Sequence, residues 1–297
     1  MSDRLKDPDH GQRPMTPLQH APAATPQTSP LVSGVVPTDA YSAGVLSHAV
    51  PTEEARLRIL ERTLDPPTIA LLERIGVDSD WRCLELGGGA GSVARWLARR
   101  CSLGQVTATD VDTRFLDRTR EANLTVLNHD ATRDEFPAGS FDLVHTRLML
   151  HHLPGRNAVV ARAVPWLVPG GWLVAEEPDF TCADASPYPP LRAYVHAFEA
   201  FMRKRIGTDY RWARWLPVVL AEAGLETVTM SVQAYHTGEG SGGAFWRASV
   251  AQAGPALVEA ALLDADELAD CLALLDDPDC HDLLFTVVAA WGRCPGG

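Results

Sequence analysis

Leu84-Glu85-Leu86-Gly87-Gly88-Gly89-Ala90-Gly91-Ser92 is the stretch that decides how this chain is read. An apolar segment, Trp81 to Leu86, leads into it, and a helix-forming segment, Val93 to Arg100, leaves it. Glycine has no Cβ, so glycines at alternate positions allow positive φ and let a bulky ligand approach the main chain. The first amides of the following helix lack intrahelical acceptors and face that ligand as donors. Strand, glycine turn and helix in this order place a nucleotide-like cofactor at the C-terminal edge of a parallel sheet.

The same alternation continues outward from this stretch. Gln105 to Thr109 reads as strand two, closing at Asp110, and Thr113 to Ala122 as a helix. Leu124 to Asn128 is strand three, ending near Asp130, and Phe141 to Thr146 is strand four. Asn157 to Leu167 is helical, with Pro165 disturbing its last turn. Val168-Pro169-Gly170-Gly171 reads as a turn before strand five, Trp172 to Glu177. Such alternation implies a parallel sheet covered by helices on both faces.

On the N-terminal side, two helices are expected, Glu53 to Arg62 and Pro67 to Ile75, the second capped by Gly76. Past strand five come helices at Leu191 to Ile206 and Arg214 to Ala223, then strand six, Leu225 to Tyr235. Gly238 to Gly243 reads as a hinge, followed by a helix at Pro255 to Leu263. A further helix starts at Asp264, where Glu267 completes a capping box. Leu283 to Trp291 is strand seven.

Residues 1–38, rich in Pro, Thr, Gln and Asp, predict a disordered tail with little to bury. Of 297 residues, 39–297 then form one α/β domain with helical insertions at about 187–212 and 244–281. A net charge of −12 argues against a nucleic-acid footprint, which needs a basic face. The six cysteines form no C-x-x-C pair, so neither a zinc site nor a dithiol site is indicated. Reduced thiols, no apolar leader and no bilayer-length apolar run predict a cytoplasmic protein without a membrane partner.

The dinucleotide fingerprint G-x-G-x-x-G/A, started at Gly87, ends on Ser92 and fails. Glu85-x-Gly87-x-Gly89-x-Gly91 instead resembles motif I of the class I S-adenosylmethionine-dependent methyltransferases. The resemblance implies a doubly wound, seven-stranded, mostly parallel sheet with its last strand antiparallel and inserted lid helices. It implies S-adenosylmethionine as cofactor, held by Tyr41, Glu85, Gly87, Gly89, Gly91, Asp110, Asp130, Ala131 and Arg147. Glu85 is expected near the methionine end, with Tyr41 over it. A carboxylate about 20 residues past a glycine loop, here Asp110, accepts both ribose hydroxyls, although it also suits a helix cap. Asp130 resembles the acid that accepts the adenine amine, with the Ala131 amide donating to the ring and the Arg147 backbone close by.

The segment Met149-Leu150-His151-His152-Leu153-Pro154 follows strand four, where such enzymes build the substrate floor. His152 matches a position shared among relatives of differing chemistry, which points to structure. His151 falls at a variable position and is the first candidate for a general base, ahead of His152, His145 and His236. Glu177 and Asp179 are candidates for substrate binding, proton acceptance or loop capping. No metal ligand set is expected. The helix carrying Tyr194, His196, Phe198, Phe201 and Met202 falls where relatives place a lid, and its aromatics suit an apolar, ring-bearing molecule. The expected function is methyl transfer to a small apolar or aromatic metabolite, in natural-product biosynthesis. A non-methylating reaction on the same fold, such as cyclisation, and a macromolecular substrate are the alternatives. Oligomeric state is not legible.

Overall fold

The computed structural model describes residues 44–116 and 121–296, all within one compact unit, Val36–Gly297. Tyr41, the tail and the middle of the helix expected at Thr113 to Ala122 lie outside the described residues.

The architecture starts with helix α1 (Glu53–Ile75) and strand β1 (Arg82–Leu86), followed by α2 (Ser92–Arg100), β2 (Gln105–Asp110) and β3 (Leu124–Asn128). Next come β4 (Phe141–Arg147), α3 (Arg156–Ala163), β5 (Leu167–Asp179), α4 (Pro189–Ile206) and α5 (Leu216–Glu222). The chain closes with β6 (Glu226–His236), α6 (Ser241–Glu259), α7 (Ala265–Asp276) and β7 (Leu283–Arg293). The sheet order is β3-β2-β1-β4-β5-β7-β6. Strands β1 to β5 are parallel, and β7 runs antiparallel to both β5 and β6.

Strand order reverses between β1 and β4, which opens a crevice at their C-terminal ends. Successive residues of each central strand serve opposite faces, as the period of two requires. Cys83, Leu143 and Val174 meet α1 and α2 through Leu72 and Leu97. Leu84, Val144 and Leu173 pack on the other side with Val160 of α3 and Leu216 of α5. A third cluster joins α4, α6 and α7 to Phe180 and Phe285, beside the crevice.

Three expectations need correction. The two N-terminal helices are one, with Pro66 and Pro67 inside it. Each interior proline costs a helix about 3 kcal/mol. Leu60, Leu64, Leu71 and Leu72, buried on one face across the break, outweigh that cost. The Pro-Gly-Gly segment is not a turn before strand five but lies inside β5, at a register shift against β4. The Gly170 amide donates to Cys294 O and the Cys294 amide to Gly171 O, so the end of β7 holds it extended. The glycines near 240 begin α6 instead of forming a hinge. A Cβ on Gly243 would stand 1.9 Å from Gly238 O, so close packing, not mobility, requires glycine there.

Candidate functional site

A cavity opens at the crevice, lined at one end by the glycine loop and at the other by aromatic side chains of the helical cluster. Gly87 (φ 69°) and Gly89 (φ 54°) adopt left-handed conformations that side chains disfavour. A Cβ on Gly87 would meet Met149 Cγ at 2.9 Å, whereas one on Gly89 would meet nothing within 4 Å. Both line the cavity; Gly91 (φ 85°) is outside the lining and serves as the left-handed residue from which α2 starts.

The three strand-tip carboxylates converge on this cavity. Asp110 Oδ2 accepts from the Gly89 amide and Oδ1 from the Asp112 amide, both at 3.0 Å. It therefore caps its own turn and braces the glycine loop, yet each oxygen keeps acceptor capacity. Burial raises the Asp110 carboxyl, against the pull of His48 and the two amides. Asp130, 4% exposed, fills one oxygen with the Thr132 amide (2.9 Å) and hydroxyl (2.6 Å). Its other oxygen has no hydrogen-bond partner, although the exposed Arg133 stands 3.5 Å away. Such a buried acceptor calls for a donor from a ligand or water. Ala131 and His129 line the wall beside it.

Glu85 is buried, and its Oε2 accepts from His145 Nδ1 at 2.6 Å. The Nε2 of His145 meets Glu176 Oε1 at 2.9 Å, and Glu176 accepts from Thr68 of α1. Burial opposes charge on His145, but the two carboxylates prevail and raise its pKa to about 9. His145 is thus a buried cation between two acids and is absent from the cavity wall. Arg147 donates to Thr68 Oγ1 (2.9 Å) and Asp65 Oδ1 (2.8 Å), which fixes the end of β4 against α1.

After β4 the chain turns through Leu148 at φ 55°, a strained conformation for leucine, into a short 3-10 turn. That turn stacks the amides of Met149, Leu150 and His151 on Glu177, at 3.2, 2.8 and 3.2 Å. His151 Nδ1 lies 2.5 Å from the same carboxylate. When ionised, Glu177 fixes the ring and its tautomer, since Nδ1–H is the donor a carboxylate demands. Among the described residues Nε2 meets no hydrogen-bond partner. Burial pushes Glu177 up to about 8 against those three amides, and burial holds the His151 imidazole well below its usual value. His152 Nδ1 pairs with Thr208 Oγ1 at 3.0 Å, and burial lowers its pKa as well. Both histidines line the cavity.

Other sequence candidates separate clearly. Asp179 caps a loop through the Thr181 amide and pairs with Arg214, so it is a structural acid. His236 is exposed and outside the lining, and exposed His196 pairs with Asp184. Tyr194 and Phe198 reach the cavity, whereas Phe201 and Met202 point into the helical core. Tyr210, Phe285, and Trp246 and Ser249 of α6 also line the wall, and no local sequence signal marks them. They come from the segment before α5, from α6 and from β7, which only the tertiary structure brings together. Among the described residues no group of three or more His, Cys, Asp or Glu is arranged to hold a metal ion.

The crevice lies at the point where strand order reverses in a doubly wound α/β sheet, and comparison with known proteins shows what the chain is similar to. Residues 84–175 match the family model of a methyltransferase domain. Methyltransferase str3 of Strobilurus tenacellus is 37% identical over 100 residues, covering 33% of this chain and 36% of its own. Trans-aconitate 2-methyltransferase of Mycobacterium tuberculosis is 30% identical over 112 residues, covering 38% and 42%. The matched region thus spans well under half of either relative. In fold, the chain is similar to Haemonchus contortus phosphoethanolamine N-methyltransferase 2, solved with S-adenosylhomocysteine. That likeness has a TM-score of 0.51 at 15% identity and covers 86% of this chain and 56% of that one. Over residues 84–175 the chain is thus similar to the methyltransferase domain family, and its fold is of the same kind. Among the described residues, no helix is long and apolar enough to cross a membrane.

Proposed function

We propose that this protein transfers a methyl group from S-adenosylmethionine to an oxygen atom of a small, apolar, ring-bearing metabolite. The observation that carries this reading is the His151–Glu177 pair, buried on the wall between the glycine loop and a set of aromatic rings.

The residues present fit the cofactor. The orphan oxygen of Asp130 matches the adenine amine, Asp110 keeps acceptor capacity for ribose hydroxyls, and Gly87 and Gly89 leave room above the loop. Glu85, braced by His145, supplies negative charge toward the cationic end. When bound, S-adenosylmethionine supplies an electrophilic methyl group.

The protein's part is alignment, exclusion of water and removal of a proton. Alignment alone supplies about 7–11 kcal/mol in favourable intramolecular reactions. Phe180 stacks on Tyr210 at 4.3 Å and 5°, and both line the cavity, an aromatic border for a ring-bearing molecule. A hydroxyl beside His151 loses its proton to Nε2, while Glu177 stabilises the imidazolium through Nδ1–H. Polyanions suit this space poorly. The two arginines of the described lining, Arg56 and Arg147, are already paired with Glu53 and Asp65.

The test is incubation of the full chain with methyl-labelled cofactor and a panel of phenols, aliphatic alcohols, carboxylic acids, RNA and protein. Label recovered as an aryl methyl ether is expected. Label confined to carboxylate esters or macromolecules, or a product formed without label, contradicts the reading.

A further inference from the structure

The far end of the cavity carries two polar groups that nothing in the chain satisfies. Trp246 is 2% exposed and Ser249 8% exposed; both line the cavity, and neither indole Nε1 nor hydroxyl Oγ has a hydrogen-bond partner. They are three residues apart on α6, so they share one face of the helix. The surroundings offer no relief, because Trp246 packs edge-on or tilted against Phe180, Phe285 and Tyr194. The Tyr194 hydroxyl is turned to the Ser249 carbonyl at 3.4 Å and leaves the serine side chain untouched. Buried donors are paired in the great majority of folded proteins, and leaving one unmet is destabilising. An indole N–H can only donate, so the missing partner is an acceptor.

The wall between this group and the general base is continuous. His151 meets Tyr210 at 5.0 Å between ring centroids, Tyr210 stacks on Phe180, and Phe180 meets Trp246 at 5.5 Å. A ring-bearing molecule held along this aromatic lining with its hydroxyl at His151 would direct its far end toward α6. Resting on the transferase reading above, we propose that Trp246 Nε1–H, with the Ser249 hydroxyl beside it, binds an acceptor oxygen at the end of the substrate away from the methylated atom. The substrate class is then a hydroxylated aromatic compound carrying a carbonyl. Trp246 and Ser249 select it by differential binding, since a ligand lacking the oxygen leaves the buried donor unmet.

The proposal is tested by binding to the full chain saturated with S-adenosylhomocysteine, using matched pairs. Para-hydroxyacetophenone is compared with para-ethylphenol, and a hydroxyflavanone with the corresponding hydroxyflavan. The carbonyl member is expected to bind at least about fivefold more tightly, the worth of one net hydrogen bond. It is also expected to shift the indole N–H proton resonance of Trp246 downfield, identified by its loss in Trp246→Phe. Trp246→Phe keeps the ring and should bring each pair to parity with cofactor affinity unchanged, and Ser249→Ala should narrow the gap. Equal binding within both pairs, or a preference that survives Trp246→Phe, overturns the proposal. Methylation of ring compounds without a carbonyl preference overturns it and leaves the transferase reading standing. Failure of the wild-type chain to bind S-adenosylhomocysteine overturns both.

Discussion

Two histidines six residues apart, His145 and His151, end in opposite chemical states because of where their carboxylates stand. His145 lies between Glu85 and Glu176 and is held charged, so it has no lone pair to offer. His151 faces one carboxylate already occupied by three amides and is held neutral by burial. On the proposed mechanism, His151→Ala lowers kcat by about 10²–10⁴, the usual worth of a positioned base, with little change in cofactor affinity. The pH profile carries a second signature. Only ionised Glu177 holds Nδ1–H as donor and leaves Nε2 as acceptor, and Glu177 is pushed up to about 8. Turnover is therefore expected to rise with pH through that region in steady-state kinetics, and Glu177→Gln to remove the rise; a flat wild-type profile contradicts this. The sequence shows both histidines, but it does not show which carboxylate each meets, since those partners lie 26 to 60 residues away.

Elements meet at two joints that decide the shape of the crevice. The first is the buried Glu85–His145–Glu176 chain, which ties β1, β4 and β5 to α1 through Thr68. The folded pKa of His145 is raised from 6.5 to about 9. Its stabilisation is fully present below the unfolded value and is lost as pH rises through about 9. A shift of this size is worth about 3 kcal/mol. Urea unfolding is expected to show wild type losing stability over this range, with the loss much reduced in His145→Gln; parallel curves would sink the assignment. The second joint is Gly87, where positive φ and Met149 leave no room for a methyl group. Gly87→Ala is expected to cost about 1–2 kcal/mol in unfolding experiments and to weaken S-adenosylhomocysteine binding. An unchanged midpoint and affinity would contradict that. Glycine spacing and strand alternation make this loop legible from sequence. The continuous α1 is not, because apolar packing on both sides of Pro66 and Pro67 acts through the tertiary structure and not through local preference.

At the scale of the molecule, a regular half carries the glycine loop and the strand-tip acids, and an irregular half supplies the aromatic end of the cavity. Strands β1 to β5 follow one another with signals that can be read locally, and the family match falls on the same region, residues 84–175. The wall built by α4, α6 and Phe285 is assembled from segments far apart in the chain, so Phe198 and Tyr194 are legible only as lid aromatics and Trp246 not at all. The central claim is that three strand-tip acids and a bare loop cup S-adenosylmethionine. It is tested most directly by calorimetric titration of the full chain with S-adenosylhomocysteine, beside Asp110→Ala. The account predicts one molecule bound per chain, and binding about 10-fold or more weaker in the variant, since charge-assisted bonds contribute about 1.5–3 kcal/mol. No heat of binding by the wild type, or equal affinity in a folded Asp110→Ala protein, would contradict it.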